Sequence, residues 1–350
     1  MESFSTKVRS IEYIKLLAAC FVVFIHIHFP GTLGKVFDSI ARFGVPFFFV
    51  ISGFFSYQIK SERVLRRMLH ILMILLLATL LYTVWGGVKT VIYSNGTLSK
   101  YLLTQFNWGT IARWLFMDIC PVAGHLWFLM ALIKCYAVFW LYVKLNENTK
   151  EEVINYGPFY IFGSLLLMIH IMTSLKMVGI GMKVNYIAYR DGLFFGLPMF
   201  CTGLYIKENY EKIHCCFNLS KIKSVLVFMV GTALGVLQYL KIGKVEMPVG
   251  TFFAVCALLM FAVEQGERES TSILKDRFAY VLGKTSVIVY IIHIMCSDII
   301  KFLAKTQPVC QTIVNHKNVY PLIILFISLT IGLFVSFVLC WYRRLKRSVS

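Results

Sequence analysis

Charge is scarce in this chain, and negative charge is scarcest. Only 15% of the 350 residues are charged, 17 acidic against 35 basic, where a soluble domain carries about 25%. So little polarity excludes a water-soluble globule. Disorder, collagen and coiled coil fall by the same arithmetic, because too little of the chain is polar, glycine-periodic or heptad-patterned. A CxxC pair is missing, as is any Cys/His spacing suited to a metal. The ten cysteines are scattered and mostly lie inside apolar segments, where cysteine behaves as a small hydrophobe, so no metal is expected. There is no Walker loop, which argues against ATP-driven transport. No internal repeat, low-complexity tract or linker breaks the chain.

What is abundant is apolar length. Hydrophobic residues make up 58% of the chain and the mean hydropathy is +0.73. Apolar runs recur from Ile11 to Leu339, and about 20 such residues cross a bilayer. The pattern predicts an all-α integral membrane protein of about ten transmembrane helices, a single membrane domain over 1–350. The expected helices lie near 11–29, 40–58, 68–92, 125–144, 153–173, 191–206, 222–240, 248–263, 283–304 and 319–341. The first carries Lys15 and two histidines and lacks a small-residue cleavage site, so it reads as a retained helix and not a signal peptide.

The net charge of +18 sits mostly in loops and reads as membrane topology, with no nucleic acid implied. With the N-terminus inside, Arg9, Arg63, Arg66, Arg67, Arg268, Arg277, Arg343, Arg344 and Arg347 fall on the cytoplasmic side, and Arg42, Arg113 and Arg190 at or beyond the outer face. That asymmetry predicts cytoplasmic N- and C-termini, although lysine is less decisive. Segment 93–124 holds Leu98, Leu102, Leu103 and Phe106 at helical spacing with Trp108 and Trp114 nearby, the pattern of an interfacial helix on the outer surface.

Polar groups inside apolar helices are costly and face a cavity or one another. Lys15 and His26 are eleven residues apart, close to three turns, so they share one face about 16 Å apart along the axis. One groove can use both. Alone, Lys15 also fits a residue snorkelling to the headgroups, and His26 a core histidine bonded to a neighbouring helix. His28 is rotated about 200° from His26 and reads as an interfacial tip. Lys134 lies near a membrane midplane, where lysine costs about 2.5–3.5 kcal/mol; it needs a partner that the sequence does not name.

These residues resemble the acyltransferase-3 family of integral membrane O-acyltransferases, in which a basic residue and a histidine are separated by ten residues in the first helix. Lys15 and His26 match that spacing, with lysine where arginine is usual, which keeps the charge but loses the planar fork. FGVPFFFVISGFF at 43–55, GHLWFLMALIKCY at 124–136, RDGLFFGLPMFCTGLYI at 190–206 and SVIVYIIHIM at 286–295 follow in the family's order. Two departures stand out. Residues 130–134 carry no acidic side chain, where some relatives have one, and His70 follows Arg63, Arg66 and Arg67 where another arginine is common. The chain also resembles the membrane domain of vancomycin-resistance serine racemases, without the racemase.

The resemblance implies transfer of an acyl group, most often acetyl, from acyl-coenzyme A (acetyl-CoA as donor substrate) to a hydroxyl of a cell-envelope glycan or lipid-linked sugar, in a bacterial plasma membrane. His26 is then the candidate base, titrating near neutrality, and Lys15 faces the donor. Arg63, Arg66 and Arg67 are a clamp for the donor's phosphates or else a positive-inside anchor. His125, Trp127, Arg190 and His293 are candidates for the acceptor sugar. Three of these have an alternative: His125 an interfacial residue, Arg190 an ion pair with Asp191, His293 a hydrogen bond from Tyr290. The competing function is a membrane carrier or flippase for a small polar solute or lipid-linked sugar, which paired broken helices in an inverted repeat would favour.

Overall fold

The computed structural model describes residues 9–93, 96–147, 153–179, 190–217, 220–267 and 272–349. Arg268 lies outside these, as do the side chains of Arg343, Arg344 and Arg347, so the arginine asymmetry is only partly visible. The described residues are helical, without strands. By packing the chain forms two compact units, Met1–Phe48 with Ile213–Ser350, and Phe49–Lys212.

In the first unit, α1 (Arg9–His26) starts with Arg9 paired to Asp276 at 3.0 Å and the Ser10 hydroxyl donating to the Ala262 carbonyl at 2.6 Å. It ends at His26, short of the expected residue 29, because Pro30 disfavours helix before it and Gly31 takes a positive φ of 63°. The expected helix at 40–58 is two, α2 (Gly31–Ala41) and α3 (Gly44–Phe54), broken at Arg42 and Phe43; the chain leaves the first unit within α3.

The second unit continues with α4 (Ser61–Tyr93), α5 (Leu98–Gln105), α6 (Trp108–Met117), a 3-10 turn (Gly124–Leu126), α7 (Trp127–Asn146), α8 (Gly157–Gly179), a π turn (Gly192–Gly196) and α9 (Leu197–Glu208). α10 (Tyr210–Phe217) leads back to the first unit, which adds α11 (Lys221–Ile242), α12 (Val249–Glu267), α13 (Ile273–Leu303), α14 (Pro308–Asn315) and α15 (Tyr320–Val349).

Among the described residues, seven segments are long and apolar enough to cross a membrane: Gly31–Phe54, Ser61–Tyr93, Gly124–Asn146, Lys221–Lys241, Val249–Gly266, Leu274–Leu303 and Tyr320–Tyr342. The other three expected spans are also helical but fall short of that measure. α1 carries Arg9, Glu12 and Lys15, Gly157–Met172 is a shorter apolar stretch, and α9 has 12 residues.

The interfacial helix expected at 93–124 is a pair. Asn107 breaks it by accepting the Thr110 N–H, capping α6 as Thr97 caps α5. Neither helix buries a residue fully, and Trp108, at 87% exposure, Phe116 and Leu103 stand out from them. In the same unit α3 and α9 touch backbone to backbone. A methyl on Gly53 would lie 1.9 Å from the Phe200 carbonyl oxygen, and one on Gly203 1.9 Å from that of Val50, so only glycine permits this approach.

Candidate functional site

α1 is continuous from Arg9 to His26, so the three-turn relation of Lys15 and His26 holds. Lys15 does not stand alone in the apolar helix. Its Nζ is 2.9 Å from Oε2 of Glu12, one turn earlier. The pair rests over α13 at Gly283, where a methyl group would come within 1.7 Å of the Glu12 oxygen. Sequence reasoning passed over Glu12, although an acidic residue three positions before an intramembrane lysine is a visible signal.

His26 closes α1 half-buried. Its ring centre lies 5.3 Å from that of His293, on α13, and the two planes are tilted by 38°. His293 is fully buried, and its Nδ1 is 3.1 Å from the Val289 carbonyl one turn back. Tyr290, expected to hydrogen-bond His293, has its ring centre 6.3 Å away. Around the pair are Val23 and Ile27 of α1 and Val289, Ile292 and Cys296 of α13. His28 is exposed beyond the end of α1.

The first unit also holds a network that the sequence did not reveal. Arg42, at the break between α2 and α3, donates to Glu246 at 2.8 Å and to Asp38 at 3.3 Å. Asp38 accepts from the Tyr239 hydroxyl at 2.8 Å and lies 3.5 Å from the Lys244 ammonium. Two cations meet two carboxylates, a balanced cluster of the kind that fixes geometry more than it adds stability.

In the second unit, Arg63 and Arg66 are exposed on the first turns of α4. Arg67 is already engaged: it donates to the Phe55 carbonyl at 2.8 Å and to the Ser56 hydroxyl at 3.1 Å, capping the C-terminal end of α3. Lys207 of α9 lies 5.2 Å from the centre of the Phe54 ring, a cation that no motif had marked. Ser61, the first residue of α4, offers both its N–H and its hydroxyl to the Glu147 carboxylate at 2.5 Å. Those two bonds hold the Glu147 carboxyl below its ordinary range.

His125, in the 3-10 turn before α7, is buried against Tyr82 with ring centres 5.2 Å apart. Trp127 packs against Phe49 and Phe195, and the Arg190 guanidinium stands 5.0 Å over its ring. Asp191 accepts the N–H groups of Leu193 and Phe194, so its carboxylate caps the π turn.

The structure names the partner of Lys134. It is Asp118, 2.8 Å away, a residue with no exposure, set in the left-handed conformation that ends α6 (φ 59°). Asp118 also accepts the Gly192 N–H at 2.8 Å, and Lys134 donates to the Phe116 carbonyl at 3.0 Å. Burial pushes the Asp118 carboxyl up, and Lys134 and the Gly192 N–H pull it back.

Apolar helices long enough to cross a membrane, with Lys134 paired to Asp118 on one and His293 buried on another, define a multi-pass membrane protein with polar chemistry built into its helices. The acyltransferase domain family, acyltransferase-3, matches residues 8–342, and the chain belongs to that family. No curated protein and no solved structure matches it. Membership brings acyltransferase activity in general; the likeness to racemase membrane domains finds no support in the comparison.

Proposed function

We propose that this chain moves an acyl group, acetyl in the first place, from acyl-coenzyme A at the cytoplasmic face to a hydroxyl of an envelope glycan or lipid-linked sugar, with both termini cytoplasmic. The observation that carries this reading is His26 at the end of α1, half-open on one side and backed by a buried histidine on the other. A sugar hydroxyl is a poor nucleophile until a base takes its proton. His26 accepts that proton as the oxygen bonds to the thioester carbonyl carbon. The C–S bond then breaks, and the proton passes to the leaving thiolate. Lys15, with its charge shared with Glu12, faces the donor.

Arg63 and Arg66, exposed on a rigid helix, receive the donor's phosphates, while Arg67 holds the end of α3 beside them. Trp127 with Arg190 offers the acceptor an aromatic face and a cation, and buried His125 packs on Tyr82 in the same unit.

The test is His26→Gln in membrane vesicles of the native host supplied with radiolabelled acetyl-CoA, with label read in alkali-labile esters of the envelope glycans. The rate should fall by about 10²-fold or more, the scale of a lost general base. Acetyl-CoA binding by the purified variant in nanodiscs should equal the parent's, and His28→Gln should keep most of the rate. Transfer at the parent rate by His26→Gln removes it as the base. Parent protein that neither binds acetyl-CoA nor moves its acetyl group removes the reading itself.

A further inference from the structure

His293 is the buried group for which the mechanism above has no use. It sits in the first unit on α13, 267 positions from His26 in sequence, yet its ring is the neighbour of the candidate base. The separation of the two rings has a meaning. Two stacked imidazoles would lie closer. A pair joined edge to edge through one N–H···N bond of about 2.9–3.0 Å, each nitrogen about 1.1 Å from its ring centre, has centres a little over 5 Å apart. The observed 5.3 Å, with planes tilted by 38°, brings the two rings near that separation, although the buried His293 Nε2 makes no hydrogen bond among the described residues in the resting arrangement.

The tautomer of His293 follows from its other contact. A carbonyl oxygen only accepts, so the Nδ1 atom facing the Val289 carbonyl at 3.1 Å carries the proton in the neutral ring. Nε2 then holds the lone pair. A base that takes a proton on one nitrogen becomes a double N–H donor. Its second N–H is best met by a fixed acceptor that holds the ring in one orientation, as carboxylates do for histidines elsewhere. His26 is half-buried; His293 is fully buried and held by its own helix.

We propose that His293 is the positioning residue of a histidine pair. Its Nε2 accepts the second N–H of His26 as that ring gains the acceptor's proton, fixing the orientation and tautomer of the base. His293 touches neither donor nor acceptor and forms no covalent bond. This replaces the sugar-binding role expected for it, and it rests on the acyl-transfer reading with His26 as base.

The experiment uses full-length protein in native-host vesicles with radiolabelled acetyl-CoA, and acetyl-CoA binding to each purified variant in nanodiscs as the check of fold. His293→Phe fills the same space without an acceptor. It should lower kcat by about tenfold or more, leaving donor binding and the KM for acetyl-CoA at the parent's values. His293→Gln, whose side-chain carbonyl can accept the bond, should restore most of that loss. A purely structural histidine would predict the reverse order, since Phe is the better filler of an apolar site. His26→Gln combined with His293→Phe should be no slower than His26→Gln alone, because the second residue acts only through the first.

Three results overturn the proposal: parent-like kcat for His293→Phe, a change in KM alone, or losses that multiply in the double variant. If His293→Phe does not bind acetyl-CoA, His293→Leu takes its place in the same comparison. Vesicles of the parent that transfer no label fail at the earlier step and bring down the acyl-transfer reading together with the pair.

Discussion

Lys15 and Lys134 both stand inside apolar helices and each has a carboxylate partner, but the two pairs are built differently. Lys15 meets Glu12 on its own helix, one turn away, and the two side chains keep 22% and 17% of their exposure. Lys134 meets Asp118 from beyond the preceding short helix. Asp118 is wholly buried and is held further by the Gly192 N–H, while Lys134 reaches the Phe116 carbonyl. Closing the first pair fixes only side chains. Closing the second fixes the end of α6, the face of α7 and the start of the π turn together. A pair with few bonds and a partly exposed carboxylate can open to a substrate, whereas one whose carboxylate is wholly buried and held by several bonds is a clasp.

The largest expected effect falls on the clasp. Asp118→Ala leaves the Lys134 charge in an apolar setting and should cost about 3–5 kcal/mol, the usual penalty for removing one partner of a buried pair. It should be seen as a lower unfolding midpoint in detergent and reduced yield. Asp118→Leu with Lys134→Met should recover much of the loss, since apolar replacement of both partners is often neutral. No recovery would mean that the backbone bonds to Gly192 and Phe116 matter more than the charges do.

A smaller effect separates the other pair. The methyl of Gly283→Ala meets the far end of the Glu12 side chain and no backbone atom, so the carboxylate can swing away. The stability cost should be about 1 kcal/mol or less, the range of a partly exposed ion pair. Freed of Glu12, Lys15 should bind acetyl-CoA several-fold more tightly, and added salt should weaken that gain. Unchanged affinity at low salt would leave Lys15 a snorkelling anchor.

The smallest effect concerns a third carboxylate, which has neutral partners. Because the bonds from Ser61 hold Glu147 below its ordinary value of 4.5, their stabilisation is complete above that pH and is lost as pH falls through the lower folded-state value. Glu147→Gln should therefore lessen acid destabilisation below about pH 4.5, a slight change seen in unfolding midpoints across pH. Identical acid profiles for parent and variant would remove Glu147 as a cap for α4.

Hydropathy made the helical class and the rough placement of the apolar segments legible, because each segment advertises itself over many residues; α12 at Val249–Glu267 answers the expected 248–263 closely. Local punctuation was harder to read. Arg42 lies inside an apolar run that reads as one helix, yet the helix breaks there, and Arg42 pairs with Asp38 one turn back and with the distant Glu246. Pairings distant in sequence left no trace at all. His26 was found by its spacing to Lys15, but nothing near it indicates His293. Asp118 reaches Lys134 through a left-handed residue that no periodicity encodes. Glu12 was legible and was missed.

The length of α4 has a mechanical consequence. Its 33 residues make a rod of about 50 Å, while the hydrocarbon of a bilayer is about 30 Å thick. Part of this rod must stand clear of the oily layer, and Arg63 and Arg66 ride on its opening turns. They are carried by a stiff post and not by a loop, so their backbone is already ordered before any anion arrives. A ligand captured there would lose little chain entropy to capture itself, and its position relative to the far end of the same helix would be set by a ruler of fixed rise per residue. Lengthening or shortening the post by one turn would move that grip along the membrane normal by about 5 Å.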